Sequence, residues 1–223
     1  MHDYTVALAL FDYLPIAFTT LGMYWLCQSQ LFDLAAIRKL AIAGAVLVIS
    51  GGLLKASWKL IVASSGTHIV WMNNSLFILM APGFVLLSCA LLLSHKKERH
   101  TYTVSLWAPT LIATAILVIA YTLSVVEPAQ KLWFFWLLTV VTLGNTVTIF
   151  LLAKVGWNRN DKVISLLYIL SFAGTLTLSG LARIPDQTAA LQWIEESINA
   201  AAQGLFFVAS LRLNKRLRET DTP

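Results

Sequence analysis

The chain has 223 residues, 58% of them hydrophobic and only 12% charged, with a mean hydropathy of +0.74. Soluble domains run at about 45–50% apolar and about 25% charged, so a water-soluble globule with a single buried core is excluded. Composition points instead to an integral membrane protein, whose apolar side chains face lipid as well as one another. The formal net charge of +5 then reads as loop charge set by topology and not as a nucleic-acid-binding surface.

Seven stretches have the roughly 20 mostly apolar residues that a bilayer-crossing helix needs: 5–27, 36–60, 69–94, 103–126, 131–153, 162–182 and 188–211. The expected fold is an all-α integral membrane protein, a seven-transmembrane-helix bundle forming a single domain over 1–223. Runs such as Leu111-Ile112-Ala113-Thr114-Ala115-Ile116-Leu117 do not alternate as the strands of a membrane barrel must.

The first span carries Asp12 and Pro15, follows no basic leader and precedes no small-residue cleavage site, so it is expected to remain in the protein. The second ends in Lys55 and Lys59, and the third opens Trp71-Met72-Asn73-Asn74-Ser75 and contains Pro82. The fourth and fifth are largely apolar. Arg183 follows the sixth, and the seventh carries Gln192, Glu195, Glu196, Asn199 and Gln203.

Lys and Arg fall unevenly between the two sides of this pattern. The side reached after the first span collects Arg38, Lys39, Lys96, Lys97, Arg99, Lys154, Arg159, Lys162, Arg212, Lys215, Arg216 and Arg218, 12 residues against 4 on the other side (Lys55, Lys59, Lys131, Arg183). Positive loops stay in the cytoplasm. A multi-pass protein of the plasma (cytoplasmic or inner) membrane is expected, with its N-terminus outside and its C-terminus inside. Cys27 and Cys89 then lie in cytoplasm-side halves, as reduced packing residues.

The spans also suggest a parallel internal repeat, three helices in 1–94 and three in 123–216, joined by a linker helix at 103–126. Trp71-Met72-Asn73-Asn74-Ser75 faces Trp193-Ile194-Glu195-Glu196-Ser197 at an offset of 122, and the same offset relates Thr20-Leu21-Gly22 to Thr142-Leu143-Gly144 and Phe84 to Phe206. This organisation is similar to the three-plus-one-plus-three bundles of small seven-helix sugar and vitamin carriers. The proline-glutamine motif of those carriers is absent, so no residue role is transferred from them.

Charged residues at the centre of a membrane span cost about 2.5–3.5 kcal/mol each, so they gather inside the bundle and mark function. Here Asp12, Lys55, Asn73, Asn74, Glu195, Glu196, Asn199 and Gln203 all fall in the outer half or near mid-depth, and the inner half reads as almost purely apolar. Gln192, Glu196, Asn199 and Gln203 share one helical face. Together the eight residues form the candidate ligand site, a pocket open to the outside, with Lys55 or Arg183 expected to pair with an acid. The plainer alternatives are snorkelling for the lysines and interhelical hydrogen bonding for the amides and acids.

Specific chemistries find no support in the sequence. The seventh span has no lysine for a retinal Schiff base, the histidines lie at span ends or in loops, and neither zinc spacing nor a nucleophile elbow occurs. No cofactor and no metal are expected, and no catalytic residue can be assigned. Three functions remain. The first is binding or transport of a small polar or cationic solute entering from the outer side. The second is an intramembrane enzyme acting on a lipid, with Asp12 or Glu196 as general acid/base assisted by His68 or Lys55. The third is a receptor or accessory subunit acting through an effector or complex partner. Membrane lipids are expected neighbours in all three.

Overall fold

A computed structural model describes residues 5–95, 107–181, 184 and 188–220. Among these the chain is helical throughout, as α1 (Val6–Phe11), α2 (Tyr13–Cys27), α3 (Ala35–Ser65), α4 (Val70–Ser94), α5 (Trp107–Val126), α6 (Leu132–Asn158), α7 (Lys162–Leu181) and α8 (Ala189–Thr220), with short 3-10 turns at Gln30–Phe32 and Pro128–Gln130. Six segments are long and apolar enough to cross a membrane: Val6–Cys27, Ala35–Ser65, Val70–Ser94, Trp107–Val126, Leu132–Asn158 and Lys162–Leu181. Large apolar side chains such as Leu10, Val46, Leu111, Val118, Phe150 and Leu166 stand exposed on their outer faces, as lipid-facing residues do. The protein is a membrane-embedded helical bundle.

The helix boundaries differ from expectation where helices outrun the apolar stretch that announces them. α3 continues to Ser65, α6 to Asn158 and α8 to Thr220; in α8 the extension is built largely from Arg, Lys, Leu and Glu, polar and apolar residues of good helix propensity. α8 is not itself apolar enough to count among the candidate spans, so the seventh expected span is a helix of mixed character. Lys96, Lys97 and Arg99, which carry part of the charge count, and Arg183 lie outside the described residues.

Two prolines shape the interior. Pro15 has no N–H to offer the carbonyl of Phe11, four residues back, and the helix is interrupted between Phe11 and Tyr13, at Asp12. Pro82 lies inside α4, next to Gly83. There α3 and α4 meet backbone to backbone: a Cβ added at Gly44 would sit 2.6 Å from the Gly83 carbonyl oxygen, and one added at Gly83 would sit 2.9 Å from that of Gly44. Without a hydrophobic drive between helices in lipid, such close approach and the dispersion contacts it creates hold membrane helices together. Gly66, at φ 69°, ends α3 in the left-handed conformation that glycine adopts without strain.

Neighbours in sequence pack as α3 on α4, α6 on α7 and α7 on α8. The ring is closed by α2 against α8 and α4 against α6, while α5 lies outside on α4 and α6, tied by Trp136 Nε1 donating to the Ile116 carbonyl at 3.1 Å. The two closing contacts have the same form. Phe206 packs against Gly22, and Phe84 packs against Gly144, each residue 122 positions from its counterpart.

Candidate functional site

At the end of the bundle where α1 begins and α3 ends, three charged side chains converge from three helices. Asp12, at the junction of α1 and α2, presents its carboxylate to Lys59, which stands one turn beyond Lys55 on α3, and α8 brings Glu196 to the same ammonium. Lys59 Nζ lies 2.6 Å from Asp12 Oδ2 and 2.6 Å from Glu196 Oε1. The side chains of Lys59, Asp12 and Glu196 are only 16%, 6% and 13% exposed. Asn199 Nδ2 donates to Glu196 Oε2 at 3.4 Å. Beside this bridge Lys55 donates to Asn73 Oδ1, and its ammonium lies 4.3 Å over the Trp58 ring. Tyr13 and Ser57 exchange a hydrogen bond at 3.0 Å between α2 and α3.

One turn below, a cavity of about 260 Å³ opens between α2, α3, α4, α6, α7 and α8. Asn199 reaches both places: it contacts Glu196 above and lines the cavity below. Gln203 follows one turn further down α8 and accepts from Thr19 Oγ1 at 3.0 Å. Asn145, Thr148, Ser171 and Thr175 add amide and hydroxyl groups from α6 and α7, against walls built from Met23, Met80, Phe84, Phe172 and Phe206. Among the described residues no ionisable side chain lines it. The lining contains four residue pairs separated by 122 positions: Thr19 and Val141, Met23 and Asn145, Ile49 and Ser171, Phe84 and Phe206.

The expected site residues therefore divide between two places. Asn199 and Gln203 border the cavity. Asp12 and Glu196 form the ion cluster, with Lys55 and Asn73 bonded to each other beside it. Asn74 is half-buried on α4 away from the cavity lining. Glu195 is half-buried, with Oε1 enclosed and without a hydrogen-bond partner among the described residues. The acids pair with Lys59 and not with Lys55, which donates to Asn73 one turn away.

The reading of the other half as almost purely apolar needs correction. Ser88 Oγ donates to the Gly144 carbonyl at 2.9 Å and contacts Thr148 Oγ1 at 3.0 Å, Tyr168 OH contacts Ser210 Oγ at 3.1 Å, and Asn214 Nδ2 donates to the Trp25 carbonyl at 2.8 Å. Hydroxyls hide in a hydropathy profile because each can bond a nearby carbonyl at little cost. Asn145 was legible: it is an amide in the middle of an otherwise apolar fifth span, and intramembrane amides seek the bundle interior.

No protein-family model matches this chain, and no curated protein or solved structure matches it either.

Proposed function

We propose that this protein is a seven-span transporter of the cytoplasmic membrane, N-terminus outside and C-terminus inside, that carries a small polar or cationic solute through the central cavity. The observation that carries this reading is the presence in the cavity wall of four residue pairs 122 positions apart, beside the matching contacts Gly22–Phe206 and Gly144–Phe84. Transporters built from two related halves bind at the interface between them and expose the site to each side in turn by rocking one half on the other. Here the halves would be 1–94 and 123–216, and the peripheral position of α5 suits a linker.

The seventh span fits the same picture. α8 is too polar to be recognised as a lipid-facing helix because Gln192, Glu196, Asn199 and Gln203 turn inward, toward the cluster and the cavity. Orientation follows from the imbalance of 12 against 4 in Lys and Arg, which places the ion cluster at the outer end. The cavity lies just below the roughly 300 Å³ at which drug-sized sites begin. Amides and hydroxyls over aromatic and Met walls suit a compact amphipathic solute.

The test is accessibility from both sides. With Cys27 and Cys89 replaced by alanine, Asn145→Cys should react with a membrane-impermeant cationic thiol reagent added to right-side-out vesicles, and also to inside-out vesicles. Reaction from neither side, or equal reaction of a Cys at the lipid-facing Val118, would overturn the reading.

A further inference from the structure

The cavity between α2, α3, α4, α6, α7 and α8 is polar without being charged. Its threonine hydroxyls are used within the protein: Thr19 Oγ1 donates to Gln203 Oε1 at 3.0 Å, Thr148 Oγ1 contacts Ser88 Oγ at 3.0 Å, and Thr175 Oγ1 donates to the Ser171 carbonyl at 3.2 Å. Four other groups keep capacity for a ligand. The Asn145 side-chain amide and the Ser171 hydroxyl make no hydrogen bond among the described residues, although Ser171 is only 4% exposed. Gln203 uses its amide oxygen and keeps its N–H donors, while Asn199 spends an N–H on Glu196 and keeps its amide oxygen.

This capacity is mixed. Asn145 and Ser171 both donate and accept, Gln203 donates, and Asn199 accepts. An ammonium only donates and a carboxylate only accepts, so either ion leaves part of the set unpaired. A primary amide or an alcohol does both. An ion would also give up its hydration without meeting a counter-charge, since among the described residues no ionisable side chain lines the cavity. An unpaired buried ion costs far more than a hydrogen-bonded neutral group. Glu196, one turn above Asn199, is committed to Lys59 at 2.6 Å. The aromatic wall of Phe84, Phe172 and Phe206 lacks the Trp that holds cations best.

We propose that the cavity binds an uncharged solute whose head both donates and accepts, a primary amide or an alcohol, on a compact apolar body, and that Asn145 reads that head. As the transported solute it rests on the transporter reading above, and it narrows the small polar or cationic solute of that reading to the uncharged kind. The apolar body lies against the Met and Phe wall, where burial in place of water favours binding. Selectivity comes from the head, because a site built to hydrogen-bond a group discriminates strongly against an analogue that leaves its buried partners unpaired.

Equilibrium binding to the full-length protein in lipid nanodiscs, read by ligand-observed fluorine NMR, tests this with probes of one shape: para-fluorobenzamide, the para-fluorobenzamidinium cation and the para-fluorobenzoate anion. The amide should bind at least about tenfold more tightly than either ion, the worth of one well-placed hydrogen bond. Asn145→Leu keeps the volume but loses donor and acceptor, and should weaken the amide about tenfold while leaving the ions unchanged. Ser171→Ala, the milder change, should weaken the amide less. Equal or tighter binding of an ion, no saturable binding of the amide, or an unchanged amide affinity in Asn145→Leu overturns the proposal. Should Asn145→Leu fail to fold, an unchanged affinity in Ser171→Ala does the same. A thiol reagent reports access through an irreversible reaction, so its charge is separate from this preference. Failure here would leave the two-sided thiol result standing, and failure of that result would leave a binding site with the same preference but no transport role.

Discussion

The end of the bundle that holds Asp12 and the half that holds Ser88 meet the same requirement, joining helices far apart in sequence within a low-dielectric interior, with different chemistry. At the first, the contact between α3 and α8 is ionic, Lys59 between Asp12 and Glu196. In the second, α4 meets α6 through Ser88 on the Gly144 carbonyl, and α8 meets α2 through Asn214 on the Trp25 carbonyl. A hydroxyl or amide bonded to a backbone carbonyl has nothing to exchange with and keeps two helices in register. An ammonium shared between two carboxylates can give up one of them to a competing charge. The contrast assigns rigidity to one half and a replaceable bond to the other.

The contrast breaks most severely when the shared cation is removed. Lys59→Met leaves two buried carboxylates without their ammonium, and losing one partner of a buried pair typically costs about 3–5 kcal/mol. Thermal unfolding in a lipid-like detergent should show that loss. Most of it should return in the triple variant that adds Asp12→Asn and Glu196→Gln, since a neutral polar cluster has no charge left to compensate. A single variant with stability within about 1 kcal/mol of the parent would place the cluster among the weak, screened ion pairs.

The rigid half is probed next by crowding it. Gly44→Ala puts a Cβ 2.6 Å from the Gly83 carbonyl oxygen and 3.0 Å from the Leu87 nitrogen. Backbone cannot swing aside as a side chain can, so α3 and α4 must separate, at a cost of about 1–3 kcal/mol. Gly180→Ala meets nothing within 4 Å and serves as the control, with stability unchanged or slightly raised. Equal effects of the two substitutions would show that the α3–α4 contact is not held by close approach.

How far these features were legible follows from the kind of signal each leaves. Helical class and membrane embedding depend on sums over many residues, and composition states them openly. Asp12, Glu196, Asn199 and Gln203 were legible because a carboxylate or amide in a span is rare and expensive. Their partners were not. Lys55 and Lys59 stand one turn apart on the same face of one span, and only the depth at which α3 docks along its axis decides which one meets Asp12. The hydroxyls of Thr19, Thr148, Ser171 and Thr175 are too common in membrane helices to mark a cavity by themselves. Phe84 and Phe206 were legible as counterparts, but that both pack on glycines and line one cavity requires the tertiary arrangement.

A smaller effect separates the hydroxyl contacts from the glycine contacts within the rigid half. Ser88→Ala removes the donor to the Gly144 carbonyl and the contact to Thr148, and interhelical hydrogen bonds in membranes are worth about 0.6 to 1.7 kcal/mol. Its cost in the same unfolding measurement should fall below that of Gly44→Ala, and Ser88→Thr should recover part of it. A larger loss for Ser88→Ala would mean that hydrogen bonding outweighs close approach in fixing α4.

The smallest effect expected lies at the opposite end of the bundle, in the turn between α6 and α7, where an ion pair meets solvent. Arg212 Nε donates to Asp161 Oδ2 at 2.8 Å, and the Ile164 N–H donates to Oδ1 at 3.4 Å. Partial burial raises the Asp161 pKa, but the Arg212 guanidinium and the N–H groups of Ile164 and Val163 outweigh it and hold the carboxyl below its ordinary value. A carboxyl depressed in the folded state contributes stability that is present above its unfolded value and is lost as pH falls through its lowered folded value. The difference between the parent and Asp161→Asn should therefore be constant near neutrality and shrink below about pH 4. The Arg212 side chain is 49% exposed, so screening keeps the difference under about 1 kcal/mol and high salt reduces it further. The Asp12 cluster, whose side chains are largely buried, should respond less to salt. A salt-insensitive difference at Asp161 that grows toward acid pH would contradict both the sign and the exposed character of this pair, and with them the distinction between a screened bridge in the turn and a desolvated one within the bundle.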